Sequence, residues 1–243
     1  MLTPERERLI REHYWYTADD DYICARLAAR NGLFKHFAWN AGQALEKYIK
    51  CAILLEGGSA QFSHKFCSSF KSRVFATYTN AFPTEINVCR FAKVADRWKD
   101  FAKESFLECL KRFEQNGSAR GRYREIDLLI KPLDLQKLDR LVFFLRPFCS
   151  SMEDIKASPE RLESEHAPAA AKSWPTIQFG LMTEEKEKAL RWENCANFPE
   201  VFKDSRGWSF MYGGTAPSKM LHTTSHLNDG DLEWLEQRSK FRR

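Results

Sequence analysis

The sequence predicts an all-α fold: an up-and-down bundle of about five helices over residues 1–150, then a mostly irregular C-terminal extension over residues 151–243. Three observations predict it. Apolar residues recur at three- and four-residue spacing in successive stretches of the first 150 residues, as one-sided helices require. Glycine, proline and capping residues punctuate those stretches, leaving short links between neighbours. No stretch before residue 150 shows the strict alternation of a half-buried strand.

Residues 1–16 are a short amphipathic lead-in. Thr17 is placed to cap a first helix, expected from Ala18 to Asn31, with Asp19, Asp20 and Asp21 in its first turn, where negative charge complements the helix dipole. Ile23, Cys24, Leu27 and Ala28 form its inward stripe, and Gly32 stops it. The central helix is expected from Phe37 to Leu55, with Phe37, Ala41, Leu45, Tyr48, Ala52 and Leu55 inward. Asn40, Gln43, Glu46, Lys47 and Lys50 fall opposite and predict an exposed amide-and-lysine stripe. Gly57-Gly58 ends the helix, because glycine takes the left-handed conformation without a Cβ penalty.

Ser63 is placed to cap a third helix opening at His64, with Phe66, Phe70, Val74 and Tyr78 on one side and Pro83 closing the stretch. Residues 85–115 carry the longest helical pattern, marked by Val94, Trp98, Phe101, Phe106, Leu110 and Phe113, and Asn116-Gly117 terminates it. Asp134 is placed to cap a last core helix with Leu138, Leu141, Val142, Leu145 and Phe148 inward, which Pro147 ends or kinks. Past Ser150 the chain turns polar with scattered Pro and Ala, the composition of a linker. Thr183 to Trp192 predicts a short capped helix, and residues 232–238 a terminal one.

The formal net charge of +5 permits contact with an anion without demanding it. No segment approaches the roughly 20 apolar residues of a membrane span, and the charged first residues lack the apolar run of a signal peptide. The expectation is a cytoplasmic protein with no membrane contact. The seven cysteines are scattered and form no CxxC, which predicts reduced thiols instead of disulfides or a zinc site. His222 and His226 stand four apart, but the residues between them are poor helix formers and only Asp229 offers a third ligand. Gly213-Gly214-Thr215 lacks the lysine of a phosphate loop. No metal and no cofactor is predicted.

The run from Ala41 to Lys50, AGQALEKYIK, is followed by Leu54-Leu55, Gly57-Gly58 and His64, and later by Arg122-Tyr123 and Lys137-Leu138-Asp139. Together these resemble the HEPN family of helical domains over roughly residues 15–150. The resemblance implies a bundle that often dimerises, and one of two uses. Some members are metal-independent ribonucleases of toxin (toxin–antitoxin), defence or RNA-processing systems, with an Arg and a His four to six residues apart. Others lack that pair and bind nucleotide, RNA or a partner protein, often beside a nucleotidyltransferase. The Gln43-Ala44-Leu45-Glu46-Lys47 word looks like the second group, so the expected role is a non-enzymatic binding module.

The individual residues each carry two readings. Arg30 and His36 have the ribonuclease spacing; an imidazole can exchange the 2′-hydroxyl proton while a guanidinium holds the phosphate. Gly32 breaks the helix between them, however, and the plain reading is a surface Arg and a helix-opening His. His64 either lines an anion groove near Lys47 and Lys50 or fixes a loop-to-helix junction. Arg120, Arg122 and Arg124 with Tyr123 form the densest basic patch, which either grips phosphate and stacks on a base or has Arg122 paired with an acidic neighbour and Tyr123 packed in the core. Besides the binding module, two alternatives stand: a metal-independent endoribonuclease using His36 or His64, and a structural homodimer clasped by the extension.

Overall fold

The computed structural model describes residues 2–59, 64–90, 94–118, 129–149 and 183–197. These form an all-α bundle carrying one small antiparallel ribbon. The chain opens as a single rod. The Thr3 hydroxyl accepts from the Arg6 amide, and Pro4 stands where a missing N–H costs nothing. α1 (Pro4–Ile10) continues through a π-helical turn, Arg11–Trp15, into α2 (Tyr16–Arg30). The expected start at Thr17 is therefore corrected: Thr17 lies inside the rod and its hydroxyl donates back to the His13 carbonyl at 2.7 Å. The wide turn shifts the following residues off the 3.6-residue register, which hides the continuity from the sequence.

α2 ends at a Schellman turn. Gly32 sits at φ +70°, and the amides of Gly32 and Leu33 donate to the carbonyls of Ala29 and Ala28. α3 (Phe34–Leu55) follows at once, starting a turn earlier than expected, and ends in the same motif at Gly57, φ +77°. So short a link makes α2 and α3 an antiparallel hairpin. Phe37, Ala41, Leu45, Tyr48 and Ala52 are buried, as the spacing predicts. Cys24, expected in the inward stripe of α2, is exposed instead.

α4 (Phe66–Ser69) passes into a π-helical turn, Phe70–Phe75, with Phe66, Phe70 and Val74 inward. His64 precedes this helix and does not open it; Ser63 lies outside the described residues. The largest correction falls on residues 85–115. A single helix was expected there, but the chain forms β1 (Glu85–Asn87), two 3-10 turns (Val88–Arg90 and Asp96–Phe101) and β2 (Lys103–Ser105) before α5 (Phe106–Asn116). β1 and β2 pair antiparallel with Ile86 opposite Glu104. Three-residue spacing within a 3-10 turn copies half of an α-helical pattern, which explains the misreading. Val88, Val94, Trp98, Ala102 and Leu133 form a small satellite core there.

α6 (Asp134–Leu145) closes the main core, and Pro147 follows in a 3-10 turn, Arg146–Cys149, as predicted. Phe82, Phe106, Phe144 and Phe148 meet in an aromatic cluster, with Phe82 stacked on Phe148 at 4.8 Å. All twelve residues of α6 are buried, not one stripe of it. Its charges are matched from afar: Asp134 by Arg112, Lys137 by Glu104 and Asp139 by Arg26. Arg140 lies over the rings of Phe143 and Phe144. α7 (Glu184–Arg191), capped by Thr183 as predicted, docks against α2, so the described part of the extension belongs to the bundle. The linker, the terminal helix and His222 and His226 lie outside the described residues. Among the described residues, no helix is long and apolar enough to cross a membrane.

Candidate functional site

Two regions hold the residues singled out in the sequence. The first is the polar face of α3. Antiparallel packing brings Asp21 of α2 beside Lys47, whose Nζ lies 2.6 Å from Asp21 Oδ2. One turn on, Lys50 Nζ donates to Glu46 Oε1 at 2.6 Å, and His64 Nδ1 donates to Glu46 Oε2 at 3.0 Å. The exposed stripe expected here is corrected. Glu46 is buried, Asn40 and Gln43 are half-buried, and the side chains of Lys47 and Lys50 are only 29% and 14% exposed. α2 covers one flank and the chain at His64 the other.

The electrostatics follow from that burial. Desolvation raises the Asp21 carboxyl above its usual range against the pull of Lys47, and Asp20 and Glu46 push the same way. Lys47 and Lys50 are matched by Asp21 and Glu46, and Lys186 stands 3.8 Å from Asp20, so an arriving anion meets as much repulsion as attraction. His64 stands apart, with its side chain 67% exposed above a buried carboxylate. Glu46 engages Nδ1, which leaves Nε2 as the proton-exchanging atom of the ring.

Arg30 and His36 are both exposed, on either side of the Gly32 turn: Arg30 ends α2 and His36 lies in the first turn of α3. Among the described residues no hydrogen bond or ion pair joins them.

The second region is the base of the basic patch. Arg120, Arg122, Tyr123 and Arg124 lie outside the described residues, but both ends of their segment are in view. Asn116, buried at the end of α5, donates from Nδ2 to the Leu129 carbonyl at 2.8 Å and accepts from the Leu129 amide at 3.3 Å. This paired bond holds together the two residues, Asn116 and Leu129, that flank the arginine-bearing segment. Below it, Arg112 holds both oxygens of Asp134 at 2.8 Å and both of Glu104 at 2.8–3.0 Å. Lys137 and Lys131 add bonds to Glu104 at 2.6 and 3.2 Å. Burial alone would raise the Glu104 carboxyl, but Arg112 and Lys137 hold it well below the usual carboxylate range. Among the described residues three cations face two carboxylates here, so the cluster keeps a positive excess. Sequence reading missed this cluster because Glu104, Arg112 and Lys131 read as ordinary surface charges until the fold brings them together.

Among the described residues no group of three or more His, Cys, Asp or Glu side chains is placed to hold a metal ion. Compared with models of known protein families, with curated proteins and with solved structures, the chain matches none.

Proposed function

We propose that the chain is a HEPN-like, non-enzymatic module that binds RNA or a nucleotide through Arg120, Arg122, Tyr123 and Arg124. The observation that supports this reading is the clamp of Asn116 on Leu129, which holds together the two residues flanking the arginine-bearing segment, near a cluster in which Arg112 and Lys137 bind Glu104. The lysines of α3 are a poorer anion surface, because Asp21 and Glu46 already occupy them. Arginine binds phosphate in a planar, two-pronged manner, and a neighbouring tyrosine offers a face for a base. A fluorescence titration of labelled single-stranded RNA and of ATP tests it. Arg122→Ala with Arg124→Ala is expected to weaken binding at least tenfold and to lower the salt dependence by about two phosphate contacts. The melting curve should not move. Unchanged affinity, or no binding by the wild type, rejects the reading.

One observation favours a second reading, the metal-independent ribonuclease. His64 is an exposed imidazole oriented by a buried carboxylate, with the Lys50 ammonium on the other oxygen of that carboxylate. Such a group can exchange the 2′-hydroxyl proton of RNA. If it does, purified protein cleaves RNA in EDTA, and His64→Ala abolishes cleavage while His36→Ala does not. The binding-module reading expects no cleavage from any of the three.

A further inference from the structure

Residues 183–197 close over the bundle at a place where the polar chemistry is left unbalanced. There Tyr22 and Arg26 of α2 meet Asp139 of α6 in full burial. The Tyr22 hydroxyl donates to Asp139 Oδ1 at 2.7 Å, and Arg26 pairs with the same oxygen. The segment answers with its own groups. The carbonyls of Ala189 and Trp192 accept from Arg26, the first at 2.9 Å. Asn194 and Asn197 donate to the Tyr22 hydroxyl at 2.9 and 3.4 Å.

Glu193 brings the segment's unbalanced carboxyl. Its Oε2 accepts from Gln136 Nε2 at 3.1 Å, but among the described residues its Oε1 is buried without a hydrogen-bond partner, as are Asp139 Oδ2 and Asn197 Oδ1. Glu193 also sits at φ +51°, a left-handed conformation that a residue with a Cβ adopts at a cost. A strained residue carrying a half-bonded buried carboxyl opposes docking unless that carboxyl is uncharged.

We propose that residues 183–197 are a proton-gated strap: docking requires Glu193 as the neutral acid, and its ionisation releases the segment from a polar groove lined by Tyr22, Arg26, Gln136 and Asp139. The groups facing Glu193 are Arg26 on α2 and Gln136 and Asp139 on α6, while Arg140 of α6 faces Cys195 two residues further on. Burial pushes the Glu193 carboxyl up to about 7; Asp139 adds to the rise, and Arg26 and Gln136 oppose it. Arg26 is already taken by Asp139, so an ionised Glu193 would be a second buried negative charge with no cation of its own.

The sign follows from linkage. The docked carboxyl has the higher pKa, so docking is fully supported below the ordinary glutamate pKa of 4.5. It is lost as pH rises towards about 7 and then levels off. Within that window each pH unit changes the docking equilibrium by up to tenfold.

Hydrogen exchange of the full chain tests this, with rates corrected for the intrinsic effect of pH. Between pH 5 and pH 7.5, protection of amides 184–197 is expected to fall at least tenfold, while α3 amides 34–55 keep theirs. In Glu193→Gln, which cannot ionise, protection of 184–197 is expected to stay within twofold over the same range. A flat wild-type profile, an equal fall in Glu193→Gln, or a matching loss in α3 would overturn the proposal. If Glu193→Gln does not fold, the wild-type comparison of 184–197 with α3 still decides.

Discussion

Asp139→Ala is expected to lower the unfolding free energy by about 3–5 kcal/mol, the cost of leaving a buried charge without its partner. Asp139 is fully buried, accepts from the Tyr22 hydroxyl and pairs with Arg26. With the carboxylate gone, the fully buried Arg26 guanidinium keeps the carbonyls of Ala189 and Trp192 and its contact with Tyr22 but has lost its counter-charge. The Tyr22 hydroxyl loses its acceptor at the same time. This is a large share of the roughly 5–15 kcal/mol that holds a typical domain together. Replacing both partners with apolar residues should cost clearly less than the sum of the single losses, because the penalty comes from the orphaned charge and not from the missing attraction. Urea unfolding at pH 5, where residues 183–197 are docked, reads both. A loss below 1 kcal/mol for Asp139→Ala would mean that water reaches the guanidinium and that the docking of residues 183–197 is not what buries it.

Gly42→Ala is expected to cost about 2–3 kcal/mol, in the range of overpacked cores. The direction is informative, since glycine to alanine inside a helix gains up to about 1 kcal/mol where nothing obstructs it. Here α3 crosses the end of α5 backbone to backbone. A Cβ on Gly42 would stand 2.7 Å from the Gly117 Cα and 3.3 Å from the Phe113 carbonyl oxygen. A Cβ on Gly117 would meet the Gly42 Cα at 2.6 Å. No side chain can swing aside at this crossing, so the helices themselves must separate. That separation would disturb the Phe37–Phe113 edge contact, whose rings are 6.2 Å apart, and the turn that leads to Ser118. Thermal unfolding that shows Gly42→Ala as stable as the wild type would mean the two helices part without cost.

The legible parts of the fold are those where one local signal sufficed. Gly32 and Gly57 were readable as helix stops because only a left-handed residue closes that turn, and both take positive φ. The apolar face of α3 and the stripe of α4 followed from spacing alone. What the sequence hid was set by distant partners. Asp134, Lys137 and Asp139 look like the wet side of a one-sided helix. They are buried because Arg112, Glu104 and Arg26, between 22 and 113 residues away, neutralise them. Glu46 and Lys50, four apart in the sequence, pair as that spacing allows, but the partner of Lys47 was not readable, since Asp21 reaches it only through the α2–α3 hairpin. β1 and β2, three residues each, are too short to show alternation. For the candidate site, the arginine patch was visible as composition, whereas the Asn116–Leu129 clamp on the residues flanking it in sequence needed the fold.

The most direct test is a paired titration of labelled single-stranded RNA at fixed, moderate salt. Two double variants are compared with the wild type: Arg122→Ala with Arg124→Ala, and Lys47→Ala with Lys50→Ala. If phosphate is held by the arginines between Asn116 and Leu129, the arginine variant loses at least tenfold in affinity and the lysine variant stays within twofold of wild type. The reverse ranking would contradict this, because it would place the ligand on the α3 face, where Asp21 and Glu46 would have to release their lysines to receive it.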